Sequence, residues 1–179
     1  YRMLATKSGL TAGDTVLIQG AGGGVSTALI MLAKAMGMRV WVTSREESKR
    51  AAALGLGADE VFESGARLPE RVQAVMESVG EATWSHSLKA LAPGGRIVIC
   101  GATSGANPPA DLNRIFFLQL SVVGSTMGTR DELQALVRLI AESGVRPPIA
   151  AEVPLADART AFEMLERGDF VGKLVLDCR

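Results

Sequence analysis

The sequence predicts an α/β protein with a doubly wound parallel sheet, and three observations carry that expectation. Short apolar runs alternate along the chain with helix-length segments, the pattern of repeated strand–helix–strand units. The runs are nearly continuous in Val, Ile and Leu instead of alternating with polar residues, as strands buried on both faces of a parallel sheet do. The first run ends in a glycine-rich turn that opens directly into a helix. Right-handed crossovers then give the strand order 3-2-1-4-5-6, with a ligand crevice where the order reverses.

Each element has its own signal. TVLIQG (15–20) is β-branched and apolar and ends in Gly, which reads as a buried first strand. Residues 25–36 form an apolar helix stopped by Gly37. MRVWVT (38–43) is a second strand, 45–54 a polar helix ending near Gly55, and DEVF (59–62) a short third strand. After a brief turn at RLPERV, QAVMES (73–78) is the fourth strand. TWSHSLKAL (83–91) is a helix stopped by Pro93-Gly94-Gly95. RIVICG (96–101) and LSVVGS (120–125) are strands five and six. Residues 130–144 form an amphipathic helix with Leu133, Leu136, Val137 and Ile140 on its apolar side. A helix near 157–167 and a strand, KLVLD (173–177), close the chain.

Composition excludes several classes. The 19 Lys and Arg balance the 19 Asp and Glu, so there is no basic excess to follow a phosphate backbone, and nucleic acid is not expected as a partner. Two cysteines cannot build a disulfide scaffold, and Cys100, inside RIVIC, reads as a small buried hydrophobe. With one His and two Cys, no zinc is expected to be held by this chain. No apolar run approaches the ~20 residues of a membrane span, and no secretory hydrophobic region opens the chain. No membrane partner and a reducing, cytoplasmic setting are therefore expected. The chain opens on Tyr1 in mid-pattern and is expected to be a fragment or a processed product.

The principal motif is Gly20-Ala21-Gly22-Gly23-Gly24-Val25-Ser26, between the first strand and the first long helix. Glycine there permits a tight turn and lets backbone N–H groups approach a pyrophosphate, while the helix N-terminus adds about half a positive charge. The spacing departs from G-x-G-x-x-G. Counted from Gly20, the third glycine position is Val25; counted from Ala21, the frame is Ala21-x-Gly23-x-x-Ser26, with Ser26 as the small residue that packs helix on strand. A glycine-rich turn without a ligand is the alternative reading.

An acid at the end of the second strand would grip a ribose 2′-OH. Here the stretch is Val42-Thr43-Ser44-Arg45. Arg45 suits a 2′-phosphate, Ser44 can donate to it, and Lys49 lies one turn further along the same helix. This favours NADP(H), with Glu46 and Glu47 as the acids that keep NAD(H) open. Ser44 to Glu47 also reads as a capping box, with Ser44 as N-cap and Glu47 reaching back.

The segments GDTVLIQGAGGGVSTALIMLAKAMGMRVWVTS, LGLGADEVF, SVGEATWSHSLKALAPGGRIVICGATSG, LSVVGSTMGTRDEL and GDFVGKLVL resemble the nucleotide-binding half of zinc-type medium-chain dehydrogenases/reductases, close to quinone oxidoreductases and zinc-binding dehydrogenase relatives. The resemblance covers most of the chain in the family's order and implies the Rossmann fold across residues 1–179. It implies an N-terminal GroES-like catalytic domain, which these residues do not include, and makes 152–179 belong to or border it. Zinc ligands of zinc-dependent members lie in that domain. The implied function is cofactor binding in an NADP(H)-dependent oxidoreductase that transfers hydride to a carbonyl, enone or quinone; the isolated chain is expected to turn over little.

The resemblance also implies how the cofactor lies. Gly22, Gly23, Gly24, Val25 and Ser26 take the pyrophosphate, and Ser44, Arg45 and Lys49 the adenosine ribose phosphate. Val79 and Gly80 pass beneath the cofactor. Gly101, Ala102 and Thr103, with Gly124, Ser125 and Thr126, hold the nicotinamide ribose and carboxamide. A homodimer through the sixth-strand edge, placed near 146–151, is implied as well. Glu77, where many relatives carry Asp, is expected to be a solvated strand-end acid. His86 is expected on the surface. A regulatory nucleotide-binding module and an S-adenosylmethionine-dependent methyltransferase are the rival functions; the latter normally wants an acid at the end of strand two.

Overall fold

The computed structural model describes residues 1–168 and 170–179. Its main body is a six-stranded parallel sheet of order β3-β2-β1-β4-β5-β6, as the sequence predicts. The strands are β1 (Thr15–Ile18), β2 (Arg39–Ser44), β3 (Glu60–Glu63), β4 (Val72–Glu77), β5 (Leu91–Ile99) and β6 (Ser121–Gly124). Between them run α1 (Gly24–Ala35), α2 (Glu47–Gly55), α3 (Glu81–Ala90) and α4 (Leu112–Phe117), and α5 (Arg130–Ser143) follows β6. The chain ends in β7 (Ile149–Pro154), α6 (Ala158–Arg167) and β8 (Lys173–Asp177); β7 and β8 form a separate two-stranded parallel sheet.

Strand alternation divides the core in two. Val16 and Ile18 of β1, with Val40, Val42, Ala74 and Met76 of its neighbours, pack on Leu29, Ile30, Leu32 and Ala33 of α1. Leu17, Trp41, Val75 and Ile97 face the other way, onto Trp84 and Leu88 of α3. Helices on both faces are what a parallel sheet with apolar runs requires.

Several elements differ from expectation. Helix α3 ends at Ala90, and β5 begins at once with Leu91, which is fully buried. Val72 pairs with Leu91 and Ala74 with Arg96, so residues 92–95 stand opposite Gln73 alone as a bulge. Pro93, Gly94 and Gly95 thus lie inside the strand. Helix α4 was not expected; Asp111 caps it by accepting from the Arg114 amide at 3.1 Å. A π-helical turn at Arg2–Lys7 buries Met3 and Leu4. On α5, Leu136, Leu139 and Ile140 pack on the core, whereas Leu133 and Val137 are exposed. Cys100 is exposed, because β5 has ended one residue before it. Residues 149–154 form β7 and pair with β8, so the segment near 146–151 is not the sixth-strand edge; that edge is β6 itself, where Val122 is exposed.

Leu17 is fully buried between two parallel neighbours. Leu17→Ala is expected to cost about 2–5 kcal/mol, read as a shift of the urea unfolding midpoint.

Candidate functional site

After β1 the chain turns at Gly20, with φ +78°. The amides of Gly20 and Ala21 both donate to the Thr43 carbonyl, at 3.1 and 2.9 Å, which ties the turn to the end of β2. A side chain at Gly20 would meet Val79 Cγ2 at 2.8 Å. The stem of Lys49 lies across Gly22, whose Cβ position is 2.7 Å from Lys49 Cδ. Gly23 is the N-cap of α1 and no side chain caps that helix, so its first-turn amides are free of side-chain acceptors. Ser26 is buried and its hydroxyl donates to the Gly23 carbonyl at 2.9 Å, so it packs the helix start and does not point outward.

Ser44 is still strand, paired with Glu63. The N-cap of α2 is therefore Glu46, without a side-chain cap bond, and the expected capping box does not form. Ser44 Oγ instead accepts from the Glu46 amide at 3.3 Å. Arg45 is exposed. Lys49 Nζ pairs with Glu46 Oε1 at 2.7 Å, and Arg50 Nη1 donates to the Ser44 carbonyl at 2.7 Å.

The loops after β4 and β5 clamp together. Ser104 donates through both its amide and its hydroxyl to the Val79 carbonyl, each at 2.7 Å, and the Glu81 amide donates to the Gly105 carbonyl at 3.1 Å. Gly80 has φ +96° and its Cβ position lies 2.3 Å from the Gly105 carbonyl oxygen, so no side chain fits. Gly101, Ala102 and Thr103 form the outer half of this clamp, with the Thr103 amide on the Ser78 carbonyl at 3.3 Å. Gly124, Ser125 and Thr126 leave the end of β6, where the Ser125 amide donates to the Ile99 carbonyl at 2.8 Å.

Two cavities flank the glycine turn. One, of about 320 Å³, brings Ser44, Arg45, Lys49, Val79 and Thr103 together with Gly20, Ala21 and Glu46. The other, of about 390 Å³, is lined by Gly22, Gly23 and Gly24 and by the C-terminal unit, through Phe162, Leu165, Lys173 and Leu174. Val25, Ser26, Gly80, Gly101, Ala102 and Gly124 to Thr126 line neither cavity. Lys173 was not singled out from the sequence. Its Nζ stands 2.6 Å from the Cβ position of Gly24, a cation over the start of α1, and only the return of the chain through β8 brings it there.

Two expectations about charge are corrected. Glu77 is fully buried, not solvated, because β4 is central and α3 covers its end. Its Oε1 accepts from the amides of Val79 and Gly80 at 2.8 and 3.1 Å and from Thr83 Oγ1 at 2.9 Å; Oε2 accepts from Thr83 Oγ1 at 2.8 Å and Ser87 Oγ at 2.6 Å. His86 is half-buried, not a surface residue. Its Nδ1 receives Gln19 Nε2 at 2.9 Å, and its Nε2 meets the Ala66 carbonyl at 2.9 Å. The carbonyl needs a donor, so the ring is neutral with its proton on Nε2. Among the described residues, no three His, Cys, Asp or Glu side chains converge as a metal site, and no helix is long and apolar enough to cross a membrane.

The family profile described as "Zinc-binding dehydrogenase" matches residues 24–142. An acryloyl-coenzyme A reductase of Metallosphaera sedula is 35% identical over 183 residues, covering 98% of this chain and 54% of the relative. Quinone oxidoreductase of Mus musculus is 30% identical over 92% of this chain and 55% of its own length. The chain thus spans about half the length of the curated relatives it matches. Among solved structures, an NAD-dependent alcohol dehydrogenase superposes with TM-score 0.87 at 34% identity, over 99% of this chain and 55% of its own. The 2-octenoyl-CoA carboxylase reductase CinF, in complex with NADP and 2-octenoyl-CoA, superposes with TM-score 0.90 at 27% identity, over 99% and 46%.

Burial, first, lowers the His86 pKa from its ordinary 6.5. The unfolded chain then binds the proton more readily than the folded one, so stability present above pH 6.5 is lost as pH falls through that value toward the lowered one. Glu132, held down to about 2 from 4.5 chiefly by the Thr6 hydroxyl and the Thr129 amide, contributes stability that is fully present above pH 4.5 and is lost only as pH falls from there toward 2. Thermal melts are expected to fall on acidification just below pH 6.5, and His86→Asn to flatten that part of the curve.

Proposed function

The chain belongs to the zinc-binding dehydrogenase family, and from that premise we propose that it is the cofactor-binding portion of an NADP(H)-dependent oxidoreductase acting on a carbonyl, or on a C=C conjugated to one. The observation that carries this reading is the crevice at the carboxyl ends of β1, β2 and β4, where Ser44, Arg45 and Lys49 meet Gly20 and Val79 beside the uncapped start of α1. The residues present fit the group. Gly24 leaves open the space in front of Lys173, and amides with a cation suit a pyrophosphate. Arg45 and Lys49 suit a 2′-phosphate, and Ser44 Oγ can donate to it. When bound, the nicotinamide supplies the hydride; the chain supplies orientation and electrostatics.

Relatives named for acryloyl-coenzyme A, quinones and 2-octenoyl-CoA support a substrate with a conjugated carbonyl. Family membership leaves the methyltransferase reading without support. A second reading, NAD(H), is favoured by Glu46, whose carboxylate lines the same crevice, paired with Lys49. We propose further that two copies pair through the open edge of β6; sedimentation at monomer mass would remove that reading.

Calorimetry separates the cofactors. NADPH is expected to bind at least about tenfold tighter than NADH, the effect of one or two charge-assisted hydrogen bonds. Arg45→Glu is expected to reverse that preference, while Lys173→Ala weakens both dinucleotides alike. Equal binding, or none, overturns the assignment; turnover of a quinone or enone at ordinary enzymatic rates by these residues alone overturns the expectation that the isolated chain turns over little.

A further inference from the structure

We propose that Glu77 is a positioning residue of the cofactor crevice, whose carboxylate holds the 78–80 turn in the shape that forms the crevice floor. This rests on the cofactor reading above. The carboxylate is fully buried at the end of β4 and takes part in no ion pair among the described residues. Burying an unpaired charge is costly unless hydrogen bonds replace its hydration. Here four donors do so, two of them backbone amides of the turn itself and two the hydroxyls of Thr83 and Ser87.

The residue type matters. A carboxylate accepts on both oxygens and donates nothing. A Gln in its place keeps one oxygen for the Val79 and Gly80 amides but turns two N–H groups on the Thr83 and Ser87 hydroxyls, which now donate to Glu77. The hydroxyls can turn and accept from an amide, so what the acid adds is charge: bonds to a charged acceptor are the stronger ones.

Its reach defines the role. Val79, held through its amide, and Thr83, held through its hydroxyl, both line the crevice. Val79 is also the side chain against which Gly20 turns. On the other side, Ser87 Oγ receives Gln19 Nε2 at 3.0 Å, and Gln19 Oε1 receives the Thr43 hydroxyl at 2.5 Å. One buried chain of hydrogen bonds thus joins the ends of β4, β1 and β2, the three strands whose loops frame the crevice.

The test uses the full chain. Wild type, Glu77→Gln, Ser87→Ala and Leu88→Ala are compared by NADPH calorimetry at a temperature where all are folded, by thermal melting, and by the amide resonances of Val79 and Gly80. Glu77→Gln is expected to weaken NADPH binding about tenfold or more, since bonds to a charged acceptor are the strong ones, and to shift both amide resonances. Ser87→Ala, which removes the bond to Glu77 Oε2 and the one received from Gln19 Nε2 and lines no crevice wall, is expected to weaken binding several-fold; it decides the matter if Glu77→Gln does not fold. Leu88→Ala, a core truncation on the same helix, is expected to lower the melting temperature and leave affinity unchanged. Unchanged affinity in Glu77→Gln or in Ser87→Ala, with only a lower melting temperature, overturns the proposal. A wild-type chain that does not bind NADPH overturns the cofactor reading and this assignment with it, before any variant is measured.

Discussion

The winding of the sheet reverses between β1 and β4, and the rest of the site depends on that reversal. Helix α1 leaves β1 toward one face and α3 leaves β4 toward the other, so the loops after these neighbouring strands diverge and open a crevice at the carboxyl edge. At the base of the crevice the same loops must come close. They do so backbone against side chain: Gly20 turns against Val79, and Gly80 turns against Ala102 and Gly105. Positive φ and missing Cβ atoms at these two glycines are consequences of the topology, and the open crevice above them depends on both.

Close approach at the base forces the polar groups there to satisfy one another. Gln19, Thr43, Ser44, Glu77, Thr83 and Ser87 are all buried within this small region. Their hydrogen-bonding capacity is largely spent inward, on each other and on loop amides. The charges left near the surface are Arg45 and the Lys49–Glu46 pair on one side of the glycine turn and Lys173 on the other. A protein with equal numbers of acids and bases thus leaves Arg45 and Lys173 as the cations beside the turn that form none of the ion pairs among the described residues. These two cations suit an anion, and the Glu77 carboxylate lies behind a floor of hydrogen-bond donors that replace its hydration.

Much of this was legible in the sequence because it follows from short-range pattern. Continuous Val, Ile and Leu runs marked the strands, and Gly37 marked the end of α1. The glycine-rich turn marked the strand-to-helix junction. What failed depended on context that pattern does not carry. Ser44 has the spacing of an N-cap, yet its pairing with Glu63 keeps it in the strand and moves the helix start to Glu46. Glu77 looks like a surface acid beside Ser78, and only the cover of α3 makes it a buried acceptor. Pro93-Gly94-Gly95 reads as a stop, but Leu91 is drawn into the core before it and the three residues become a bulge. Helix α4 is only Leu112–Phe117 long, too short for an apolar period to show.

Lys173 marks a different limit, set by distance along the chain. It lies far in sequence from the turn it overhangs, on a strand that pairs only with β7, and nothing near it in sequence signals an anion. Its position follows from a second, smaller unit that faces Gly22 to Gly24 across a cavity, with Phe162 and Leu165 as an apolar wall and Lys173 as a charged one. The glycine turn is therefore walled on both sides: a polar crevice reached through β2 and β4, and a largely apolar cavity reached through the C-terminal unit. An extended ligand crossing the turn meets hydrogen-bonding groups at one end and hydrocarbon at the other, with backbone amides and one lysine between them.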